Sequence, residues 1–301
     1  MSRRHLLTLL ALSGIWGGAF ALIEIGLRDL EPASLIGGRI GSAALALVAV
    51  AILSRRHGTV SRLRPLAGPL AIAALFNTAI PFFLIAWGQQ FIDSGVAAIL
   101  NASAPLFTAL IALGVVRAER VTGLRLVGFV LGFVGVVSLV GAQPSVGGNA
   151  LLGSLAVVGA AACYAVGALY TARRLGGLAP LEVALGTMLW ASLFTVPVGL
   201  VQLQGESVGW EAAAAVAALG VAATALAYIL YFTLIAGAGA SRAILVTYLV
   251  PALALVYGVT LLGEPLTASG LGGLALILGG VALGTGAVGV RGRIGARLAG
   301  R

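Results

Sequence analysis

The amino-acid sequence predicts an all-α membrane protein with ten transmembrane helices arranged as two inverted five-helix repeats. Hydrophobic residues make up 60% of the 301 positions and charged residues only 9%, whereas a soluble domain has about 25% charged residues. This composition leaves too little polar surface to cover a globule in water. Two further observations, the spacing of the apolar segments and the placement of the arginines, give the number of helices and their orientation.

Ten apolar segments of about 20 residues follow one another, and each is long enough to cross ~30 Å of hydrocarbon at ~1.5 Å per residue. They cover residues 6–26, 33–53, 66–88, 95–116 and 122–140, followed by 150–172, 180–201, 211–234, 243–262 and 269–290. We therefore expect one five-helix repeat over residues 1–140, a second over 150–290, and a basic cytoplasmic tail over 291–301.

The arginines are concentrated in every second connection between these segments. Of the 18 arginines, all except Arg28 and Arg39 fall in the alternate connections that begin with the N-terminus. Because arginine-rich short loops stay in the cytoplasm, both termini are expected to be cytoplasmic. Five helices per repeat is an odd number, so the second repeat would enter the membrane in the opposite sense. Many secondary transporters are built in this way, with the substrate site near the midplane.

The fourth helix of each predicted repeat is centred on a proline and is followed by a glutamate. Glu119 follows Pro105 by 14 residues. In the second repeat, Glu264 follows Pro251 by 13 residues. This self-similarity indicates an internal duplication.

These residues resemble the drug/metabolite transporter (DMT) superfamily, specifically a chain of two EamA domains. The resemblance rests on a Trp-Gly-Gly-x-Phe run at residues 16–20, on Pro32 before the second helix with Arg39 inside it, and on the proline-centred helices. It implies an inner-membrane exporter of amino acids or similar small metabolites that works by alternating access. It also implies a central cavity lined mainly by helices 1, 3, 4, 6, 8 and 9. The second repeat departs from the pattern, because its first helix reads CYAVGALY and lacks the tryptophan.

Polar residues that stand four positions before a helix proline are the first candidates for this cavity. A proline removes the hydrogen bond to the carbonyl four residues back, and in hydrocarbon that carbonyl needs another partner. The three polar residues in this position are Asn77 before Pro81, Asn101 before Pro105, and Thr247 before Pro251. Two compatible interpretations remain open: kinks stabilised by a polar side chain, and hydrogen-bonding groups that face a wet cavity.

Aromatic residues on the same helices would supply the rest of the substrate site. Aromatic faces hold apolar or cationic groups, and tyrosine hydroxyls add polar contacts. The candidates are Trp16, Phe20, Phe82, Tyr164, Tyr228, Tyr231 and Tyr248. With the polar groups before the prolines, they would bind a zwitterionic substrate.

Charge inside the predicted helices is sparse. Glu24 lies near one end of the first helix and Arg39 within the second. Either each side chain snorkels to the interface, or the two form a structural ion pair that braces helices 1 and 2. No carboxylate is expected at the midplane, where proton-coupled pumps commonly keep one. Uniporter-like flux without obligatory proton coupling is therefore expected.

Other classes of function have little support in the residue inventory. The two histidines, His5 and His57, fall in predicted cytoplasmic segments, and Cys163 is the single cysteine. A catalytic triad or zinc site within the membrane is therefore not expected, and we expect neither enzymatic activity nor a metal or cofactor. The net charge of +9 comes without a nucleic-acid motif, so topology is the simpler explanation of the arginines.

The expected partners are a small-molecule substrate, the lipid bilayer and a second copy of the chain. Glycine pairs on helices 5 and 10, the type that permits close helix approach, suggest the homodimer contact. Within transport, the alternative is a drug or nucleotide-sugar-type carrier. A nucleotide-sugar site would need cationic side chains that face the cavity, and no midplane arginine is expected in this sequence.

Overall fold

The computed structural model describes residues 2–54, 62–115, 123–141, 149–239, 243 and 245–284. In these ranges the regular secondary structure is helical, and its longer elements group into ten helices, which we label α1 to α10. The first five are α1 (Arg3–Gly26), α2 (Pro32–Leu53), α3 (Arg64–Gln89), α4 (Ser94–Asn101 and Ala104–Val115) and α5 (Leu124–Gly141). The second five are α6 (Ala150–Arg174), α7 (Pro180–Leu203), α8 (Trp210–Ala238), α9 (Val246–Leu262) and α10 (Ala268–Gly284).

Seven of these helices, α1 to α4 and α6 to α8, are long and apolar enough to cross a membrane. The apolar helices α5, α9 and α10 are shorter in the described part of the chain. The predicted all-helical membrane fold is confirmed, whereas the count of ten membrane spans is not confirmed. Glu119, the end of the predicted tenth helix and the basic tail lie outside the described residues.

Three helices contain a turn of π-helix, in which the backbone is locally wider than in an α-helix. These turns cover Leu75–Ala79 in α3, Val221–Leu226 in α8 and Gly258–Leu262 in α9. In α3 the π-turn precedes Pro81. The backbone hydrogen-bond pattern of the helix is therefore already irregular where the proline has no N–H to donate. π-Turns occur frequently at functional sites, and those of α3 and α8 lie beside the site described below.

The helix α4 is broken rather than continuous. Its first part ends at Asn101, and its second part begins at Ala104 with Pro105 in the first turn. A proline fits the first turn of a helix because its missing N–H would be unpaired there in any case. The backbone is thus interrupted at positions 102 and 103, directly after Asn101 and before Pro105.

The main contacts between the first five helices and the second five follow a two-fold pattern. α2 packs against α7, α4 against α9, and α5 against α10. Six further contacts form three matched pairs: α1–α9 with α4–α6, α1–α8 with α3–α6, and α2–α8 with α3–α7. Exchanging α1–α5 for α6–α10 converts each of these contacts into another or leaves it unchanged. The core is therefore built jointly by both halves of the chain.

The contact between α5 and α10 is made through glycines. Gly128 and Gly132 lie against Gly280 and Gly284, so closely that a Cβ atom on Gly280 would overlap the backbone of Gly132. Small residues at this spacing allow helix backbones to approach each other. The glycines that suggested a homodimer contact thus face each other within one chain, and the homodimer prediction loses the surface on which it was based.

At one end of the bundle, which we call the acidic end, loops from both halves meet. The Glu31 N–H donates to Glu206 Oε1 at 3.1 Å, which joins the α1–α2 loop to the α7–α8 loop. The Ser94 N–H donates to Glu264 Oε1 at 2.8 Å, which joins the start of α4 to the segment after α9. Gln90 Nε2 donates to Glu31 Oε2 at 3.4 Å and connects the two groups.

The opposite end, which we call the basic end, carries arginines from both halves. Arg62, before α3, forms a salt bridge of 3.1 Å with the buried Glu182 in the first turn of α7. Arg64 begins α3, and Arg173 and Arg174 lie in the last turn of α6. The two ends of the described bundle therefore carry opposite charge.

Candidate functional site

Arg39 is a charged residue in the interior of the bundle. It is the eighth residue of α2, and only 6% of its surface is exposed. Its Nε–H donates to Thr224 Oγ1 of α8 at 3.2 Å. Its guanidinium carbon lies 3.9 Å from the centroid of the Phe82 ring of α3, a cation–π contact. One side chain of α2 thus contacts helices from both halves of the chain.

The π-turn of α8 fixes the orientation of Thr224. The Thr224 hydroxyl donates to the carbonyl of Leu219, five residues earlier, at 2.9 Å. This bond directs an oxygen lone pair toward the Arg39 Nε–H, because the hydroxyl proton is already used. The acceptor for Arg39 is therefore positioned by backbone geometry.

Hydroxyl-bearing side chains from α3, α6 and α8 lie in the neighbourhood of Arg39. Tyr164 of α6 and Tyr228 of α8 interact electrostatically with Arg39. Thr78, in the π-turn of α3, is fully buried beside the Tyr228 hydroxyl. Four helices, α2, α3, α6 and α8, thus converge on one cation with polar neutral neighbours. We call Arg39, Phe82, Thr224, Tyr164, Tyr228 and Thr78 the Arg39 site.

The predicted ion pair between Glu24 and Arg39 is not formed. Among the described residues, the salt bridges are Arg28 with Glu211 and Arg62 with Glu182. Arg39 does not snorkel to an interface either, since it lies on the same buried stripe of α2 as Leu35 and Ala43. Both expectations were wrong for one reason. In a helix that is apolar on every side, residue types do not show which face points inward.

Glu24 belongs to a different group, at the acidic end. Its electrostatic neighbours include Glu264, Gln89 and Asp93. Gln89 Nε2 donates to the carbonyl of Phe20 at 2.9 Å. Burial raises the pKa of Asp93, and the neighbouring Glu264 raises it further. In the part of the chain that the structure describes, these carboxylates are not arranged to hold a metal ion.

The predicted polar groups before the prolines divide into two types. Asn77 Nδ2 donates to the carbonyl of Ala73 at 3.1 Å and to Thr171 Oγ1 at 3.0 Å. It therefore joins α3 to α6 as a structural residue would. Asn101 Oδ1, at the break in α4, is buried and has no hydrogen-bond partner. Asn77 thus has hydrogen bonds within the described part of the chain, whereas the buried Asn101 Oδ1 has no partner there.

The third such residue, Thr247, lies with Tyr248 at the start of α9, before the buried Pro251. Thr247 has at least one interaction partner in the structure. The Tyr248 hydroxyl is buried without a hydrogen-bond partner. Pro251 lies inside α9 without a break in the helix, in contrast to Pro105. The two related prolines therefore disturb their helices to different extents.

The predicted aromatic residues form a layer between α1 and α8. The ring centroids of Trp16 and Tyr231 are 5.4 Å apart, and those of Tyr231 and Phe232 are 5.9 Å apart. Phe232 also contacts Tyr228, at 6.2 Å between centroids. Trp16 Nε1 donates to the carbonyl of Ala223 in the π-turn of α8 at 3.2 Å. The layer thus extends from the Trp-Gly-Gly-x-Phe run to the Arg39 site, whereas Phe20 is buried in the core.

Sequence reasoning missed Thr78, Thr171 and Thr224 as members of this interior. A weak signal was present, because residues 73–75 and 217–219 both read Ala-Ala-Leu and are followed by Thr78 and Thr224. Threonine is common in membrane helices as a partner for the backbone. Its presence alone therefore did not indicate a site.

An open groove lies elsewhere, between α4 and α6 toward the basic end. Its volume is about 330 Å³, and it is lined by Ile111, Val166, Leu169, Tyr170, Arg173 and Arg174. It includes no residue of the Arg39 site. Its lining is mostly apolar, which suits a surface exposed to lipid.

Comparison with known proteins agrees with this architecture. The chain matches the EamA-like transporter family twice, over residues 3–141 and 151–285. An uncharacterized protein of Pseudomonas aeruginosa is 33% identical over 92% of this chain and 94% of its own length. A probable terminal-alkyne amino-acid exporter of Streptantibioticus cattleyicolor is 30% identical over 89% of each chain. A solved crystal structure with 20% identity has a TM-score of 0.63 and covers 95% of this chain and 97% of its own, which shows a shared fold.

Proposed function

This chain belongs to the EamA-like transporter family, and we propose that it exports amino acids or similar small metabolites across the inner membrane by alternating access. The observation that supports this proposal best is the Arg39 site with its aromatic layer, where helices of both repeats meet. Transporters built from repeats bind substrate at such an interface and expose it alternately to each side. The relative that is named as an amino-acid exporter supports the substrate class.

The inverted arrangement of the repeats is part of the proposal. The α1–α2 loop contacts the α7–α8 loop, as it would if the second repeat enters the membrane in the opposite sense. Arginine-rich loops remain cytoplasmic, so the basic end would face the cytoplasm. Single cysteines at Gly205 and Gly177, introduced after Cys163→Ala, test this orientation. Only the cysteine at Gly205 should react with an impermeant reagent from outside, and the reverse labelling would refute it.

Transport without obligatory proton coupling remains part of the proposal. Glu24, Asp93 and Glu264 are grouped at the acidic end, whereas the Arg39 site contains no carboxylate among the described residues. Counterflow of a labelled amino acid into proteoliposomes should therefore persist when an ionophore dissipates the proton gradient. Concentrative uptake that collapses with the gradient would show proton coupling instead.

The transport proposal itself is tested by a counterflow screen of amino acids with purified protein in proteoliposomes. Two matched variants connect the flux to the site. Asn101→Leu removes an acceptor that the protein leaves open and should lower flux about tenfold, the effect of one lost hydrogen bond to substrate. Asn77→Leu removes two bonds within the protein and should mainly lower the melting temperature. If Asn101→Leu leaves the flux unchanged, Asn101 does not bind substrate; if the wild type carries no amino acid, the proposed function is wrong.

A further inference from the structure

Arg39 is a buried cation for which the described chain supplies no counter-ion. A guanidinium has five N–H donors and no acceptor. The one hydrogen bond that the structure gives it runs from Nε to Thr224, at 3.2 Å. A structural arginine in a membrane protein normally pairs with carboxylates or backbone carbonyls, because an unpaired charge is costly there. Here most of the donors are unused although the side chain is 94% buried, as its 6% exposure shows.

The protein controls the direction from which a partner can approach. The Phe82 ring covers one face of the guanidinium at 3.9 Å. The contact with Thr224 fixes Nε, so the N–H groups of the terminal nitrogens remain. These nitrogens present the planar fork that binds two carboxylate oxygens together. The constraint by Phe82 and Thr224 orients this fork before a ligand arrives.

The neighbouring groups add hydrogen-bond donors without adding negative charge. Tyr164 and Tyr228 interact electrostatically with the guanidinium, and the buried Thr78 hydroxyl lies beside Tyr228. Hydroxyl groups can donate to an oxyanion. The nearest carboxylate on α1, Glu24, lies instead with Asp93 and Glu264 at the acidic end. The site therefore has one positive charge and several neutral donors.

We propose that the Arg39 guanidinium binds the carboxylate group of the transported substrate, with Tyr164, Tyr228 and Thr78 as neighbouring hydrogen-bond donors. The inference rests on the proposed transport function and narrows its substrate class to molecules with a free carboxylate. A single guanidinium balances one carboxylate, whereas a diphosphate would bring more negative charge than this site neutralises. An amine alone would be repelled. Substrates with the acid group blocked are therefore excluded.

The experiment uses matched pairs of probes that differ only in the acid group: L-leucine and L-leucinamide, L-threonine and L-threoninamide, L-phenylalanine and L-phenylalaninamide. Counterflow is measured for wild type, Arg39→Met, Arg39→Lys and Arg28→Met. Arg28 is the matched control, because it is an exposed arginine that already has a carboxylate partner, Glu211, at 3.9 Å. The wild type and Arg28→Met should carry the acid of at least one pair about tenfold faster than its amide, since a lost charged hydrogen bond costs about that factor.

Arg39→Met should abolish this preference, and Arg39→Lys should retain part of it, because lysine keeps the charge but loses the fork. An amide carried as fast as its acid by the wild type, or an unchanged preference in Arg39→Met, would overturn the inference while leaving transport intact. If the wild type transports none of the probes, the proposed function is wrong. Carboxylate binding at the Arg39 site is then tested by a measurement that does not depend on transport.

Thermal melting of the detergent-purified protein with sodium benzoate supplies that independent measurement. Benzoate should raise the melting temperature of the wild type and Arg28→Met but not of Arg39→Met. Without benzoate, Arg39→Met should melt at or above the wild-type temperature, since removal of an uncompensated buried charge does not destabilise the protein. An equal benzoate shift in Arg39→Met, no shift in the wild type, or an Arg39→Met protein that melts below both others would each overturn the inference.

Discussion

Arg39 and Glu264 are both charged side chains that contact the helices of the bundle, but they differ in their hydrogen bonds to the protein. Glu264 Oε1 accepts from the Ser94 N–H at 2.8 Å, and Glu264 Oε2 accepts from the Gly95 N–H at 3.0 Å. Both carboxylate oxygens thus have partners at the N-terminus of α4. Arg39 has one hydrogen bond to the protein, to Thr224.

The difference lies in how many hydrogen bonds the protein itself gives to each charge. A carboxylate at a helix N-terminus pairs with N–H groups that have no partner within the helix, and it also interacts favourably with the helix dipole. Glu264 therefore fixes α4 to the end of α9 without any ligand. Arg39 sits where its remaining donors have only neutral neighbours. The same chain thus pairs both oxygens of one partly buried charge with its own backbone, whereas the described residues give the other charge one hydrogen bond.

The largest expected effect follows from removing the satisfied charge. Glu264→Leu should lower the free energy of unfolding by about 3 kcal/mol, because hydrogen bonds to charged groups each contribute about 1.5 to 3 kcal/mol. The control is Glu211→Leu, which removes an exposed carboxylate 3.9 Å from Arg28 and should cost less than about 1 kcal/mol. Denaturant titration of both variants in detergent measures the difference. Equal stability of the two variants would show that Glu264 does not fix α4.

The next effect concerns the one acceptor that the protein gives to Arg39. Thr224→Val keeps the shape but leaves the Arg39 Nε–H unpaired, which should lower the free energy of unfolding by about 2 kcal/mol. In an Arg39→Met background the same change should cost much less, since the donor is gone. A double-mutant cycle measures this coupling. Identical costs in both backgrounds would contradict a specific bond between the two side chains.

A smaller effect is expected at the aromatic face of the site. Phe82 and Phe20 are each 7% exposed, but only Phe82 has the Arg39 guanidinium over its ring. Phe82→Leu and Phe20→Leu should therefore remove similar packing, and Phe82→Leu should cost about 1 kcal/mol more, the cation–π contribution. Chemical unfolding of the two variants gives the comparison. A larger loss for Phe20→Leu would contradict this contribution.

The smallest effect is a pH dependence beside Glu264. Because the pKa of Asp93 is raised by burial and by Glu264, the folded state holds the Asp93 proton at pH values where the unfolded chain has released it. Stability should therefore fall as the pH rises from the ordinary aspartate value through the raised value. Melting curves between about pH 4 and pH 7 should show this fall in the wild type and a weaker one in Asp93→Asn. The same slope in both proteins would assign the pH dependence to other groups.

The sequence alone determined the class of the protein and its internal duplication. With 9% charged residues, the chain has too few polar groups to form a water-soluble surface. A membrane fold therefore follows from composition. The related prolines Pro105 and Pro251 indicated two repeats, and the family match to residues 3–141 and 151–285 confirms them. These inferences needed only counts and spacings, which any arrangement of the helices would preserve.

Only the tertiary structure decided which polar groups have hydrogen-bond partners within the protein. Asn77 and Asn101 precede their prolines in the same way, yet Asn77 finds Thr171 on α6, while Asn101 Oδ1 finds no partner. From sequence, Arg39 was expected either to snorkel to the interface or to pair with Glu24, but the rotation of α2 turns it toward Thr224 instead. In a membrane helix every face is apolar, so the hydrophobic pattern does not mark the inner side. Partners across the bundle depend on helix rotation and on π-turns, which arise from packing between the repeats.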